Sequence, residues 1–169
     1  MPTTHEMIAS HPIQPRIEAN LIHQCVDACF ACVEACTNCA DACLAEDTRD
    51  ELLRCIRIDQ DCADICGATG RLITRQLETD WTLLRAQLQT CVLACRQCAA
   101  ECDKHTQHEH CQMCAAACRE CEQACEAVLA ATLKMESQVS TDARVEQSFP
   151  ASDPPAAEGS IAPATGKRT

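Results

Sequence analysis

The sequence predicts an all-α protein, an antiparallel up-down-up-down four-helix bundle with a cysteine-lined core, and three observations carry that prediction. Cys25, Cys29, Cys32, Cys36, Cys39 and Cys43 follow one another at alternating steps of four and three residues. This is the spacing of the inward stripe of a bundled helix, where Leu or Ile ordinarily stand. At about 1.5 Å per residue the row runs for roughly 27 Å along one helix face. The spacing returns at Cys91, Cys95, Cys98 and Cys102, at Cys111, Cys114, Cys118, Cys121 and Cys125, and more sparsely at Cys55, Cys62 and Cys66. Second, capping patterns leave only a few residues between the periodic stretches, which forces antiparallel neighbours. Third, with two Phe, one Trp and no Tyr the chain lacks an ordinary core of large residues. Small flanking residues, among them Ala28, Ala31, Ala35, Ala94, Ala99, Ala117 and Ala124, let the helices close around short Cys side chains instead.

Taken in order, residues 1–14 form an N-terminal extension in which Thr3 and Glu6 make a capping box, so a short leading helical turn is expected. Pro15 suits the first turn of the first long helix, expected over Pro15–Ala45. Thr48 and Glu51 repeat the capping pattern and start the second helix near Arg49. It extends to about Gln76, with Gly67 and Gly70 weakening its middle. Asp80 is the expected N-cap of the third helix, Trp81–Lys104. Thr106 with Glu109 gives a third capping box and a fourth helix over Gln107–Met135. The bundle is therefore residues 15–135. From 136 to 169, Pro150, Pro154, Pro155 and Pro163 stand among Ala, Ser, Thr and Gly without an apolar period, the composition of a disordered tail.

The 18 Cys in 169 residues reach the level of small secreted disulfide scaffolds, but three features oppose that class. Helix-forming residues dominate, and the thiols recur within single helices rather than at long separations. The first ten residues also lack a basic leader, an apolar run or a twin-arginine pair. No window approaching 18 apolar residues is expected, hence no membrane span. A cytoplasmic location, where thiols stay reduced, follows as an expectation. The net charge of −11 and the lack of a basic stripe exclude nucleic acid as a partner.

The topology gives the bundle two different ends. One, the mouth, gathers Cys43, Cys55, Cys102 and Cys111 with His105, His108 and His110. At the other the stripes continue as Leu21, Ile22, Ile73, Leu84, Leu88, Val128 and Leu129, a hydrocarbon plug. Imidazole is a ligand for several metals, yet it also suits a helix C-terminus as a cation. His105 takes precedence because it continues the row of Cys98 seven residues on; His110 ranks last. Asp59 stands seven residues before Cys66 on a core-facing line. A carboxylate there could hold a mouth-side metal or accept thiol protons, but a slight rotation exposing it to solvent is the preferred reading. Met113 and Met135 read as packing residues.

A few buried Cys act as small hydrophobes; 18 on inward faces do not. Thiolates select Cu(I), Zn(II) or clustered iron. A tetrahedral zinc–thiolate site keeps excess negative charge, awkward to repeat along a buried tube. Cu(I) takes two or three thiolates, and a thiolate can bridge two ions. The ratio then approaches one, about 18 Cu(I) per chain, and the filled core is neutral.

The rows from Cys25 to Cys43 and from Cys91 to Cys102, with the HxHC segment His108–Cys111 leading into the last row, resemble the bacterial cytosolic copper storage proteins over roughly residues 15–135. The resemblance implies a homo-oligomer, a tetramer, storing many Cu(I) ions inside each bundle, with His residues at the mouth and an apo bundle already folded. The resulting expectation is a copper store and not an enzyme, with Cu(I) admitted and released at the His-lined end. A zinc or mixed-metal store is the first rival. A redox or iron–sulfur enzyme is the second, weakened because no one thiol is singled out and cluster ligands usually come from loops. A chaperone or sensor would need far fewer thiols.

Overall fold

In a computed structural model the chain forms five helices, α1 (Thr4–Ala9), α2 (Ala19–Ala45), α3 (Arg49–Ile73), α4 (Trp81–Cys102) and α5 (Glu109–Ser148). The structure describes residues 3–148, with side chains as far as Met135. The four long helices pack as a closed ring, each against its chain neighbours and α5 back against α2, while α1 lies on α2. The diagonal pairs, α2 with α4 and α3 with α5, make no close backbone approach among the described residues. That leaves an axial space, and the Cys rows fill it.

The local signals decide the boundaries with mixed success. Thr3 and Glu6 form the reciprocal capping box that starts α1. Asp80 Oδ1 accepts from the backbone N–H of Thr82 and Leu83 and starts α4. Pro15, by contrast, lies ahead of α2, whose first residue is Ala19 with Glu18 as its N-cap. Thr48 makes no side-chain cap bond: its backbone, at φ −94° and ψ 21°, is not in the extended conformation that aims a hydroxyl at the third helical N–H. The last helix begins at Glu109, two residues later than expected, so Glu109 is its first residue and cannot serve as the third of a box with Thr106. At its other end α5 passes the expected stop at Met135 and runs to Ser148. Residues 136–148 contain neither Gly nor Pro, so nothing in the local chemistry breaks the backbone ladder there. The expected tail from 149 onward lies outside the described residues.

Gly70 has a packing reason: a Cβ there would stand 3.1 Å from the Phe30 ring of α2. A Cβ at Gly67 would meet only ordinary contacts, 3.5 Å to Arg71 and 3.6 Å to Val33. Ile22, Ile73, Leu84, Leu88 and Val128 are buried at the plugged end, with Leu21 and Leu129 packed beside them. Ile8 of α1 and Ile17 extend that plug.

One expectation about apolarity needs correcting. By length and composition α2 is a helix apolar enough to cross a membrane, with a mean hydropathy of 1.3 over its best window. Much of its apolarity comes from Cys and Ala; its six thiols face the other helices, and a third of that apolar window is buried.

Candidate metal centre

All 18 cysteines are free thiols and buried, none more than 1 % exposed. Because the Cβ atoms of each row point the same way, four rows converge on the axis and neighbouring sulfurs stand 3.4–3.9 Å apart. From the plug, Cys25 lies 3.6 Å from Cys125, and Cys125 lies 3.6 Å from Cys91. Further along, Cys66 lies 3.4 Å from Cys95 and 3.6 Å from Cys32, and Cys36 lies 3.6 Å from Cys118 and 3.6 Å from Cys114. At the mouth Cys55 pairs with Cys102 at 3.7 Å, and Cys111 with Cys39 and Cys43 at 3.9 Å each. Four sulfurs round one metal at bonds of about 2.3 Å stand about 3.8 Å apart, so the sulfurs stand at metal-binding spacing.

The sulfurs form overlapping quartets. Cys32 and Cys62 belong both to a set with Cys66 and Cys95 and to one with Cys36 and Cys118; Cys36 and Cys118 recur with Cys98 and Cys114. Shared corners are what bridging thiolates provide, and separate closed zinc sites do not use them. Burial, and then the charges of neighbouring thiolates, push the mouth thiol Cys111 up to about 11 and raise Cys43 as well. Such thiols are protonated at neutral pH, so metal must displace protons as it binds.

Asp59 is in the tube. It is fully buried, and the rotation that would have exposed it does not occur. Its Oδ1 accepts from Cys98 at 3.0 Å and from Cys102 and Cys114 at 3.5 Å each, while Oδ2 faces Cys55 at 3.8 Å. Burial, with the Cys114 charge second, pushes its carboxyl up to about 8. The spacing Cys55, Asp59, Cys62, Cys66 repeats the four-three-four steps of the other rows. Asp59 is the oxygen in a row of sulfurs.

The three histidines separate. His110 is the imidazole that reaches the thiols: its Nδ1 lies 3.5 Å from Cys39 and Cys111 and 3.9 Å from Cys43. Its Nε2 lies 3.1 Å from Glu46 Oε1, and His108 Nδ1 lies 2.9 Å from the same oxygen. A carboxylate only accepts, so the His110 proton sits on Nε2 and the Nδ1 lone pair is left towards the sulfurs. His105, ranked first by the sequence, instead directs Nε2 at Glu101 Oε1, 3.7 Å away, without a hydrogen bond. The helix ends at Cys102, so the seven-residue extrapolation from Cys98 breaks in the turn.

Two carboxylates were missed. Glu46 ties the end of α2 to His108, just ahead of α5, and to His110 in its first turn, contacts across more than 60 residues that no local pattern signals. Glu101, 6 % exposed, accepts from Arg54 at 2.9 Å and from Lys104 at 2.7 Å. Its i,i+4 relation to His105 was the available signal.

The family model for copper storage proteins matches residues 18–130. The chain is 43% identical to a copper storage protein, Ccsp, of Streptomyces lividans, solved with 10 copper equivalents, at a TM-score of 0.75 over 76% of this chain and 99% of that one. A structure of a cytosolic copper storage protein from Streptomyces lividans, with five coppers, matches at 48% identity and a TM-score of 0.65 over 66% of this chain and 93% of that one. The Cu(I)-bound copper storage protein BsCsp3 matches at 37% identity and a TM-score of 0.55, over 61% and 92%.

Proposed function

The chain belongs to the copper storage protein family, and from that premise we propose how its own residues admit, hold and return Cu(I). Storage rests on the overlapping buried thiol quartets. Each Cu⁺ taken up displaces a thiol proton, so a core filled at about one ion per thiol carries no net charge. The set of 18 Cys is the store, and Asp59 is an oxygen ligand or proton acceptor within it. No step of this work is catalytic.

Cu(I) enters at the mouth, where His110 offers a neutral nitrogen beside Cys39, Cys43 and Cys111. Glu46 orients that ring, and His108 shares the same carboxylate. His105 lies beside Glu101. From the mouth the ion passes inward by exchange between sulfurs less than 4 Å apart. Return of copper requires a competing ligand to reach the same end.

Free thiols in this number need a reducing compartment, which supports a cytoplasmic location, as does the cytosolic description of the Streptomyces lividans protein. Exposed Phe30, Leu53, Leu93 and Leu133 support a homo-oligomer, a tetramer by family resemblance. The mouth is tested by loading kinetics. His110→Ala should take up Cu(I) several-fold more slowly while its final capacity stays nearly unchanged, and His105→Ala together with His108→Ala should slow it less. An unchanged rate in His110→Ala overturns admission at this end.

A further inference from the structure

Beside the mouth, between α2 and α5, lies an open groove of about 590 Å³ whose lining includes the core thiols Cys39 and Cys114. Its α2 wall mixes the small Ala31, Ala35 and Ala42 with the polar Glu34, Asn38 and Asp41. His110 lines the groove at one end, and Met113 stands on its α5 side, 66% exposed. Sequence spacing suggested packing for Met113; its exposure shows that it packs little.

We propose that this groove is a lateral intake for single Cu(I) ions, in which the Met113 thioether is the outermost ligand and hands the ion to His110 and then to Cys39. The inference rests on the copper-storage reading and adds a lateral approach to His110, with a thioether as its outermost ligand. Three observations carry it. The donors are graded by depth: Met113 is exposed, His110 is about a quarter exposed, and Cys39 and Cys114 are 1% exposed. The last transfer is already short, since His110 Nδ1 lies 3.5 Å from Cys39 Sγ. The chemistry changes in the right order as well. Thioether and imidazole are neutral and bind Cu(I) without losing a proton, so an ion held there is loosely held. Cys39 then exchanges its thiol proton for Cu⁺, the proton leaving to solvent as the Cu–S bond forms and the Cu–N bond breaks. The acidic side chains of Glu34 and Asp41 line the same groove and favour a cation over an anion there.

Met7 supplies an internal control, because it is 61% exposed yet sits on α1. The full chain, labelled with ¹³C at the methionine methyls, is titrated anaerobically with substoichiometric Cu(I) delivered from a chromogenic chelator. The Met113 methyl resonance should shift or broaden while that of Met7 stays in place. Transfer rates are followed in parallel for wild type, Met113→Leu and Met113→Cys. Met113→Leu should load several-fold more slowly yet reach the wild-type capacity, and Met113→Cys should restore the rate by restoring a soft sulfur. Equal rates in wild type and Met113→Leu, equal slowing in both variants, or equal responses from Met7 and Met113 each overturn the groove. Capacity is read from the same traces: a chain that fills with only a few ions contradicts the storage reading itself, whatever the rates.

Discussion

Asp59 shows what one residue can and cannot disclose from sequence. Its place in the four-three-four row was visible, but a helix phase error of a fraction of a turn would have put it in water, and only packing decides between the two. The structure buries it against four thiols. With a native value of about 8 against 3.8 for the free side chain, the folded protein keeps a proton that the unfolded chain loses. The resulting contribution is fully present below 3.8 and disappears as pH rises towards 8. Chemical denaturation of the reduced apo protein should therefore give a stability that falls across that window, and Asp59→Asn should flatten the slope. A wild-type slope retained in the variant contradicts the assignment. The histidines teach a related lesson. His110 ranks last in the sequence, where a helix-end imidazole reads as surface; its partners, Cys39 and Cys43 of α2 and Glu46 at the C-cap of α2, stand 64 to 71 residues away, beyond the reach of any local spacing.

At the scale of the element, periodicity was legible and terminal geometry was not. Cys rows fix which face turns inward because 18 thiols repeat one signal, whereas a cap depends on one residue's ψ. Asp80 is a formed cap, so Asp80→Ala should cost about 1 kcal/mol, read as a lowered Tm of the apo protein. The same change at Thr48, which caps nothing through its side chain, should cost less. The two glycines of α3 separate in the same way. Gly67→Ala has room for its methyl and should gain roughly 0.5–1 kcal/mol from helix propensity. Gly70→Ala must first move the Phe30 ring, 3.1 Å from the new Cβ, so its gain should be smaller or lost. Comparison of the two melting temperatures decides this. If Gly70→Ala is the more stabilising, the close approach of α2 and α3 at that point carries no constraint.

For the whole molecule, the ring of four helices accounts for the polarity of the store. One end closes with hydrocarbon and the other opens to imidazole and carboxylate, an asymmetry that followed from chain order once the helices were known to alternate. The thiols lie at ligand spacing and the helices also pack through Ile22, Leu52, Leu88 and Val128, so binding should need no folding step, in contrast with domains that metal must fold. These statements meet in an anaerobic titration of the reduced apo protein with Cu(I), against a chromogenic chelator and with circular dichroism recorded throughout. Tight uptake of about 18 equivalents at constant helicity is the expected result, one ion per thiol in a preformed tube. Saturation after a few equivalents, or helicity that rises as metal is added, would contradict it.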